Sequence, residues 1–264
     1  MSGLFSLDVL VALGVSASAG LATVLGSLFV LRMDRTNSHH LAIALAFAGG
    51  AMVYVSLVEI FPKSAASLGE VHGAKAGYTW TTLAFFCGIG LLVLLDRFVP
   101  NPHPDVAATS QRDKAAIARM SLLTAVAITA HNLPEGLATF FATLDDPAVG
   151  ASLAVAIALH NIPEGVSVAV PVYYATGSRS KAVLASLGSG LAEPLGAILG
   201  YIVLAPFMSP ATLGVVFGIL SGTMVFLALE ELLPAAKRYA QGRETAYGMV
   251  AGMAVVALSL VLLR

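Results

Sequence analysis

The sequence predicts an all-α integral membrane protein with eight transmembrane helices. They are arranged 3+2+3 with inverted repeats, and both termini lie outside. Three observations carry this reading. Hydrophobic residues fill 58% of the 264 positions and charged residues only 11%, where a soluble domain carries about 25% charge. The apolar residues fall into eight runs, each near the ~20 residues that cross a bilayer. The Lys and Arg residues alternate between the two ends of those runs.

The spans fall at roughly 8–31, 41–61, 79–99, 118–144, 149–172, 182–204, 211–233 and 245–263. Turn and charge signals separate them in order: Arg32 to His40, Pro62 to Gly77, the Pro100-Asn101-Pro102-His103-Pro104 run, Asp145-Asp146-Pro147, Gly177 to Lys181, Pro206 to Pro210, and Lys237 to Glu244. The first span lacks a basic region before it, so it reads as a retained helix and not a cleaved signal. On it, Gly14, Ser18, Ala22 and Gly26 recur every four residues. That is the pattern of a packing face, within the protomer or between protomers. The whole chain, 1–264, reads as a single transmembrane transport domain.

With the N-terminus outside, the inner side holds Arg32, Arg35, Arg97, Arg112, Lys114, Arg119, Arg179, Lys181, Lys237, Arg238 and Arg243. The outer side holds Lys63, Lys75 and Arg264, which completes the 14 basic residues. Eight spans keep this asymmetry, and a lost or extra helix would spoil it. Net charge is only −1, so no nucleic acid or strongly charged partner is implied. The single cysteine, Cys87, excludes a disulfide framework and a thiolate metal cluster.

Two internal repeats stand out. Gly50-Ala51-Met52-Val53-Tyr54 through Glu59 and Pro62 aligns with Gly222-Thr223-Met224-Val225-Phe226 through Glu231 and Pro234. The first copy runs outward and the second inward. Spans 1–3 and 6–8 then form inverted repeats around a central pair, as in transporters whose site lies at the midplane. The other repeat is His131-Asn132-Leu133-Pro134-Glu135-Gly136 and His160-Asn161-Ile162-Pro163-Glu164-Gly165. Both blocks sit in the middle of apolar runs, where ionisable groups are costly and functional by default.

On a helix, positions i and i+4 share a face, as do i and i+3. His131 and Asn132 therefore point with Glu135, and His160 and Asn161 with Glu164. Antiparallel spans 4 and 5 can close one cavity on two histidines, two amides and two carboxylates, with Glu193 adding a third carboxylate from span 6. Pro134, Pro163 and Pro194 each free the carbonyl four residues earlier, on Ala130, Leu159 and Gly190. A freed carbonyl at membrane depth needs a water, a side chain or an ion. Nitrogen and oxygen ligands without sulfur suit Zn²⁺, Fe²⁺, Mn²⁺ or Co²⁺. Mg²⁺ and Ca²⁺ favour all-oxygen sites.

These doubled blocks, followed by Ala192-Glu193-Pro194-Leu195-Gly196, resemble the ZIP (Zrt/Irt-like) family of divalent-metal transporters, closest to its bacterial ZupT type. The likeness spans nearly the whole chain. It implies a multi-pass protein of the bacterial cytoplasmic membrane that moves Zn²⁺, and with it Fe²⁺, Mn²⁺ or Co²⁺, into the cytosol, often as a homodimer. It implies no cofactor and no enzymatic activity. It also implies a binuclear centre, with His131, Glu135, His160 and Glu164 on one ion. Asn132, Asn161, Glu164 and Glu193 hold the other, with Glu135 available to bridge. Other members carry glutamine or aspartate at the positions of His160 and Asn161, so the partition between the two sites stays open. The long His-rich loop of many eukaryotic members is reduced here to His103.

Other polar residues admit two readings each. Glu59 is an outer cation attractor or a solvated helix end. Glu230 and Glu231 are an exit relay or salt-bridge partners of Lys237 and Arg238. His39 and His40 receive metal on the inner side or are plain loop histidines. Asp145 and Asp146 attract cations or shape a tight turn. The rival function is an intramembrane metallohydrolase, since His with Glu four residues on loosely resembles zinc-hydrolase helices. The order differs from His-Glu-x-x-His, and each Pro breaks the regular ligand helix. A metal sensor without transport is the third reading, but no soluble output domain is evident.

Overall fold

Ser6 starts the first helix: its hydroxyl accepts the Val9 N–H, and α1 runs Leu7–Ser27. The computed structural model describes residues 6–28, 31, 38–98, 111–207 and 209–263. α2 begins as Ser38–Val55, widens into a π-helical turn over Ser56–Ile60, and resumes as Phe61–His72. α3 is Ala74–Phe98, α4 Gln111–Asp145, α5 Pro147–Thr176 and α6 Arg179–Leu204. α7 is Pro210–Leu227, again followed by a π turn, Ala228–Leu232, and by Leu233–Tyr239. α8 is Glu244–Leu263. Arg32, Arg35, Arg264 and residues 100–104, His103 among them, lie outside the described residues, as do the side chains of His40, Arg112, Lys114 and Arg119.

Among the described residues, seven helices are long and apolar enough to cross a membrane. The eighth, α4, opens on Gln111-Arg112-Asp113-Lys114 and carries His131, Asn132 and Glu135 in its middle. Large apolar side chains such as Phe86 on α3 and Val261 on α8 are exposed, as expected of surfaces facing lipid. The chain is therefore a helical, multi-pass membrane protein. Gly73 and Gly177, both at positive φ, make the tight turns after α2 and α5.

Two predicted boundaries move. The sequence reading breaks the second span at Pro62 and the seventh at residue 233, yet both helices continue. The cause is the π turn. The Phe61 N–H bonds to the carbonyl of Ser56 and the Leu233 N–H to that of Ala228, five residues back. Pro62 and Pro234 then enter at the start of a resumed α-helix, where a missing N–H and a fixed φ cost little.

The eight helices pack as two groups. α1, α4, α5 and α6 contact one another, while α2 and α7 contact each other and each packs on both α3 and α8. Each group has internal two-fold character. α1 lies on α5 as α6 lies on α4, and α2 lies on α8 as α7 lies on α3. α2 and α7 run antiparallel: Gly49 faces Leu232, the Ser221 hydroxyl donates to the Ser56 carbonyl, and Gly214 lies against Leu68. The two π turns occupy the same place in the Gly50/Gly222 alignment. A pattern read as sequence similarity is thus also a similarity of backbone.

The predicted small-residue face of α1 shifts. Of the four, Gly14 and Ser18 are exposed and Ala22 and Gly26 are buried, together with Ser16, Ala19, Gly20 and Thr23. A strict spacing of four drifts around a helix of 3.6 residues per turn. Spacings that alternate between three and four stay on the face that α5 and α6 cover.

Candidate metal centre

The two repeated blocks lie on α4 and α5, which leave the hairpin at Asp146-Pro147 as antiparallel neighbours. The Asp146 carboxylate accepts the Ala148 N–H at 2.8 Å and starts α5. Both helices remain continuous through their prolines. One turn apart on its helix, each His/Asn pair and its Glu face inward. His131, Asn132, Glu135, His160, Asn161, Glu164 and Glu193 are all buried, none more than 5% exposed.

Close helix approach makes this possible. A methyl on Gly136 would run into the backbone of Glu193, and one on Gly165 into the backbone of Thr23. Gly196 meets the Leu133 carbonyl, and Gly26 the Ile162 carbonyl. Ser16 and Ser186 donate to the carbonyls of Gly136 and Gly165 at 3.4 and 3.0 Å. The carbonyl of Gly190, released by Pro194, lies against Gly20 of α1.

Glu135 is the hub. Its Oε1 lies 3.0 Å from His131 Nε2 and 3.1 Å from His160 Nε2, the second in hydrogen-bonding geometry. Ligand atoms of Glu135, His160 and Glu164 fall within 4.8 Å of one another, and His131 joins this group through Glu135. Glu193 lies outside that group of three and reaches the site through the contact of its backbone with Gly136 and through Asn161. Asn161 donates to the Ala19 carbonyl at 2.8 Å and to Glu193. Asn132 donates to the carbonyl and hydroxyl of Ser189, both at 3.2 Å.

The amide N–H groups are thus spent on neighbouring helices, and the oxygens are left. Asn132 Oδ1, Asn161 Oδ1, Glu135 Oε2, both oxygens of Glu164 and Glu193 Oε2 are buried without a hydrogen-bond donor. Buried polar atoms are normally satisfied. Six acceptors without donors, beside two imidazoles, make a cluster that only positive charge or protons can satisfy. Hard oxygen donors with borderline nitrogen donors suit a first-row divalent ion.

The other singled-out residues lie apart. Glu59 is buried in the α2 π turn, and its carboxylate pairs with Lys63 at 2.8 Å. This corrects the reading of Glu59 as a solvated helix end: α2 continues past Pro62 to His72 and brings the Lys63 cation to it. Glu230 is exposed and Glu231 partly buried on the α7 π turn. His39 Nδ1 lies 3.1 Å from Glu244 Oε1, which ties the start of α2 to the start of α8. Asp145 lines a cavity with Phe141, Tyr201, Ser209 and Leu213 at the end of α4. The sequence reading missed Thr23, a fully buried α1 residue beside the centre. Its signal was present in the 170-residue offset that relates Ser16, Gly20 and Gly26 to Ser186, Gly190 and Gly196.

Comparisons with known proteins agree with this architecture. The family described as ZIP Zinc transporter matches residues 6–115 and 101–260. The chain is 58% identical over 261 residues to "Zinc transporter ZupT" of Stenotrophomonas maltophilia, covering 97% of each chain. It is 57% identical over 256 residues to the protein of that name from Neisseria meningitidis, covering 96% of this chain and 95% of the other. It is 47% identical over 265 residues to that of Lysinibacillus sphaericus, covering 97% and 98%.

Proposed function

The chain belongs to the ZIP family, and from that premise we propose that it takes up zinc across the bacterial inner membrane into the cytosol, with Fe²⁺, Mn²⁺ and Co²⁺ as further substrates. The observation that carries this reading is the convergence of His131 and His160 on one oxygen of Glu135, with the unpartnered Glu164 carboxylate alongside. Relatives named as zinc transporters along nearly their whole length support the same reading.

In this proposal the centre is binuclear. One ion takes His131, Glu135, His160 and Glu164. The other takes Asn132, Asn161, Glu164 and Glu193, and Glu135 bridges. The donorless oxygens replace the hydration shell that the ion sheds, and the carboxylates offset its charge inside the membrane. The imidazoles favour borderline ions over Mg²⁺ and Ca²⁺. The cavity beside Asp145 is the outer approach. Eight spans with both termini outside complete the reading, supported by the surplus of Lys and Arg on the inner side. The working unit is a homodimer in the bilayer, to be tested by cross-linking in membranes.

The test is uptake into liposomes holding the purified protein, with Zn²⁺, Fe²⁺, Mn²⁺, Co²⁺, Mg²⁺ and Ca²⁺ supplied separately. Transition-metal flux that disappears in the His131→Ala/Glu164→Ala protein is the expected result. Tight binding without flux in intact, correctly oriented protein would overturn the transport reading.

A further inference from the structure

Thr23 is the only threonine among the described α1 residues, and its hydroxyl differs from those of six other helical threonines, although Thr245 at the start of α8 is likewise buried without a partner. Thr79, Thr82, Thr129, Thr139, Thr143 and Thr176 each donate to the carbonyl four residues earlier, at 2.6–3.0 Å. This is the ordinary way a helix satisfies a hydroxyl. For Thr23 the equivalent acceptor is the Ala19 carbonyl, which instead accepts the amide of Asn161 at 2.8 Å. Thr23 is 0% exposed and its Oγ1 has no hydrogen-bond partner. An unsatisfied buried hydroxyl is destabilising, so its retention calls for a partner.

The internal two-fold indicates where that partner sits. Shifting α1 by 170 residues places Ser16 on Ser186, Ala19 on Ser189, Gly20 on Gly190 and Gly26 on Gly196; Thr23 falls on Glu193. The contacts follow the same relation. Asn161 bonds to the Ala19 carbonyl as Asn132 bonds to that of Ser189. Gly165 abuts the Thr23 backbone as Gly136 abuts that of Glu193. Asn161 also holds Glu193, one turn beyond Ser189. By the same relation the counterpart of Glu193 beside Asn132 is Thr23, one turn beyond Ala19: its Cβ lies 3.3 Å from where a methyl on Gly190 would sit, as Glu193 Cβ lies 3.2 Å from one on Gly20.

We propose that Thr23 belongs to the metal centre as the neutral counterpart of Glu193, its hydroxyl oxygen facing a cation held by Asn132 and Glu164. This rests on the transport reading above. The centre is then built on a symmetric frame, and one substitution makes it unequal. The α6 side offers a carboxylate and the α1 side an uncharged oxygen. The ion held by Asn132, Asn161, Glu164 and Glu193 is therefore gripped by a charge on its α6 side and by a neutral oxygen on its α1 side.

The test measures Zn²⁺ binding by equilibrium dialysis and Zn²⁺ flux in liposomes for the full-length protein and for Thr23→Val, Thr23→Ser and His131→Ala/Glu164→Ala. Thr23→Val keeps the shape and removes the hydroxyl. It should leave metal-free thermal stability equal or higher and weaken one class of Zn²⁺ site by about tenfold, equivalent to about 1.4 kcal/mol. Thr23→Ser should restore binding. If Thr23→Val binds and transports like the parent while the double variant does neither, the inference fails and the transport reading stands. If the double variant also binds and transports normally, the transport reading fails with it. If Thr23→Val loses metal-free stability and Thr23→Ser does not recover binding, Thr23 is a packing residue and the inference is overturned.

Discussion

Gly20 and Gly190 lie against each other where α1 meets α6, each carbonyl occupying the space that a methyl on the other would need. This contact sits at the centre of the two-fold that relates the α1/α5 and α6/α4 pairs. It also brings Glu193 of α6 next to α1. Backbone cannot yield as a flexible side chain does, so the contact admits only glycine.

Gly20→Ala should therefore lower stability by about 1–3 kcal/mol, the usual cost of overpacking. Gly190→Ala should do the same. Gly14→Ala, on the exposed face with nothing within 4 Å, should not. Thermal unfolding in detergent checks all three. An unaffected Gly20→Ala would show that α1 and α6 do not meet as described.

Glu164→Gln removes a buried carboxylate whose two oxygens lack donors. Removing unneutralised buried charge relieves a desolvation cost. The variant should be at least as stable as the parent without metal, yet lose Zn²⁺ uptake. Unfolding curves in chelator, paired with liposome flux, separate the two effects. Loss of stability together with loss of flux would mean that Glu164 serves the fold.

Metal should stabilise the native protein by mass action, by about 2.7 kcal/mol at a free ion concentration a hundredfold above the dissociation constant. Adding a chelator should lower the melting temperature of the parent protein. It should leave that of His131→Ala/Glu164→Ala unchanged. An equal response in both would place the stabilising ion elsewhere.

Asp145 and Asp146 are neighbours with different surroundings: Asp146 accepts the Ala148 N–H, and Asp145 lines the cavity at the end of α4. Asp146→Ala loses the bond to the Ala148 N–H and should cost about 1 kcal/mol of stability with uptake intact. Asp145→Ala should leave stability alone and raise the Zn²⁺ concentration for half-maximal uptake severalfold. That effect should shrink as ionic strength rises, since exposed charges are screened. Concentration series at two salt levels decide it.

Much of this protein was determined by its sequence. Apolar runs of bilayer length required helices, because lipid leaves backbone groups no other partners. The i, i+4 spacing put His131 with Glu135 and His160 with Glu164 before any fold was known. The Gly50/Gly222 likeness exposed the repeat. Local spacing carries no information on what two distant helices do to each other, and there the tertiary structure decided. It showed that the π turns at Ser56–Ile60 and Ala228–Leu232 carry α2 and α7 past their prolines. It paired Glu59 with Lys63 and turned the Gly190 carbonyl toward Gly20. It also gave the Ala19 carbonyl to Asn161 instead of Thr23, because an amide from a packed neighbouring helix reached that acceptor. Ligand types and their spacing belong to a single helix and can be read along the chain. Which acceptor each donor takes depends on how closely separate helices approach, and here glycines on facing helices set that distance.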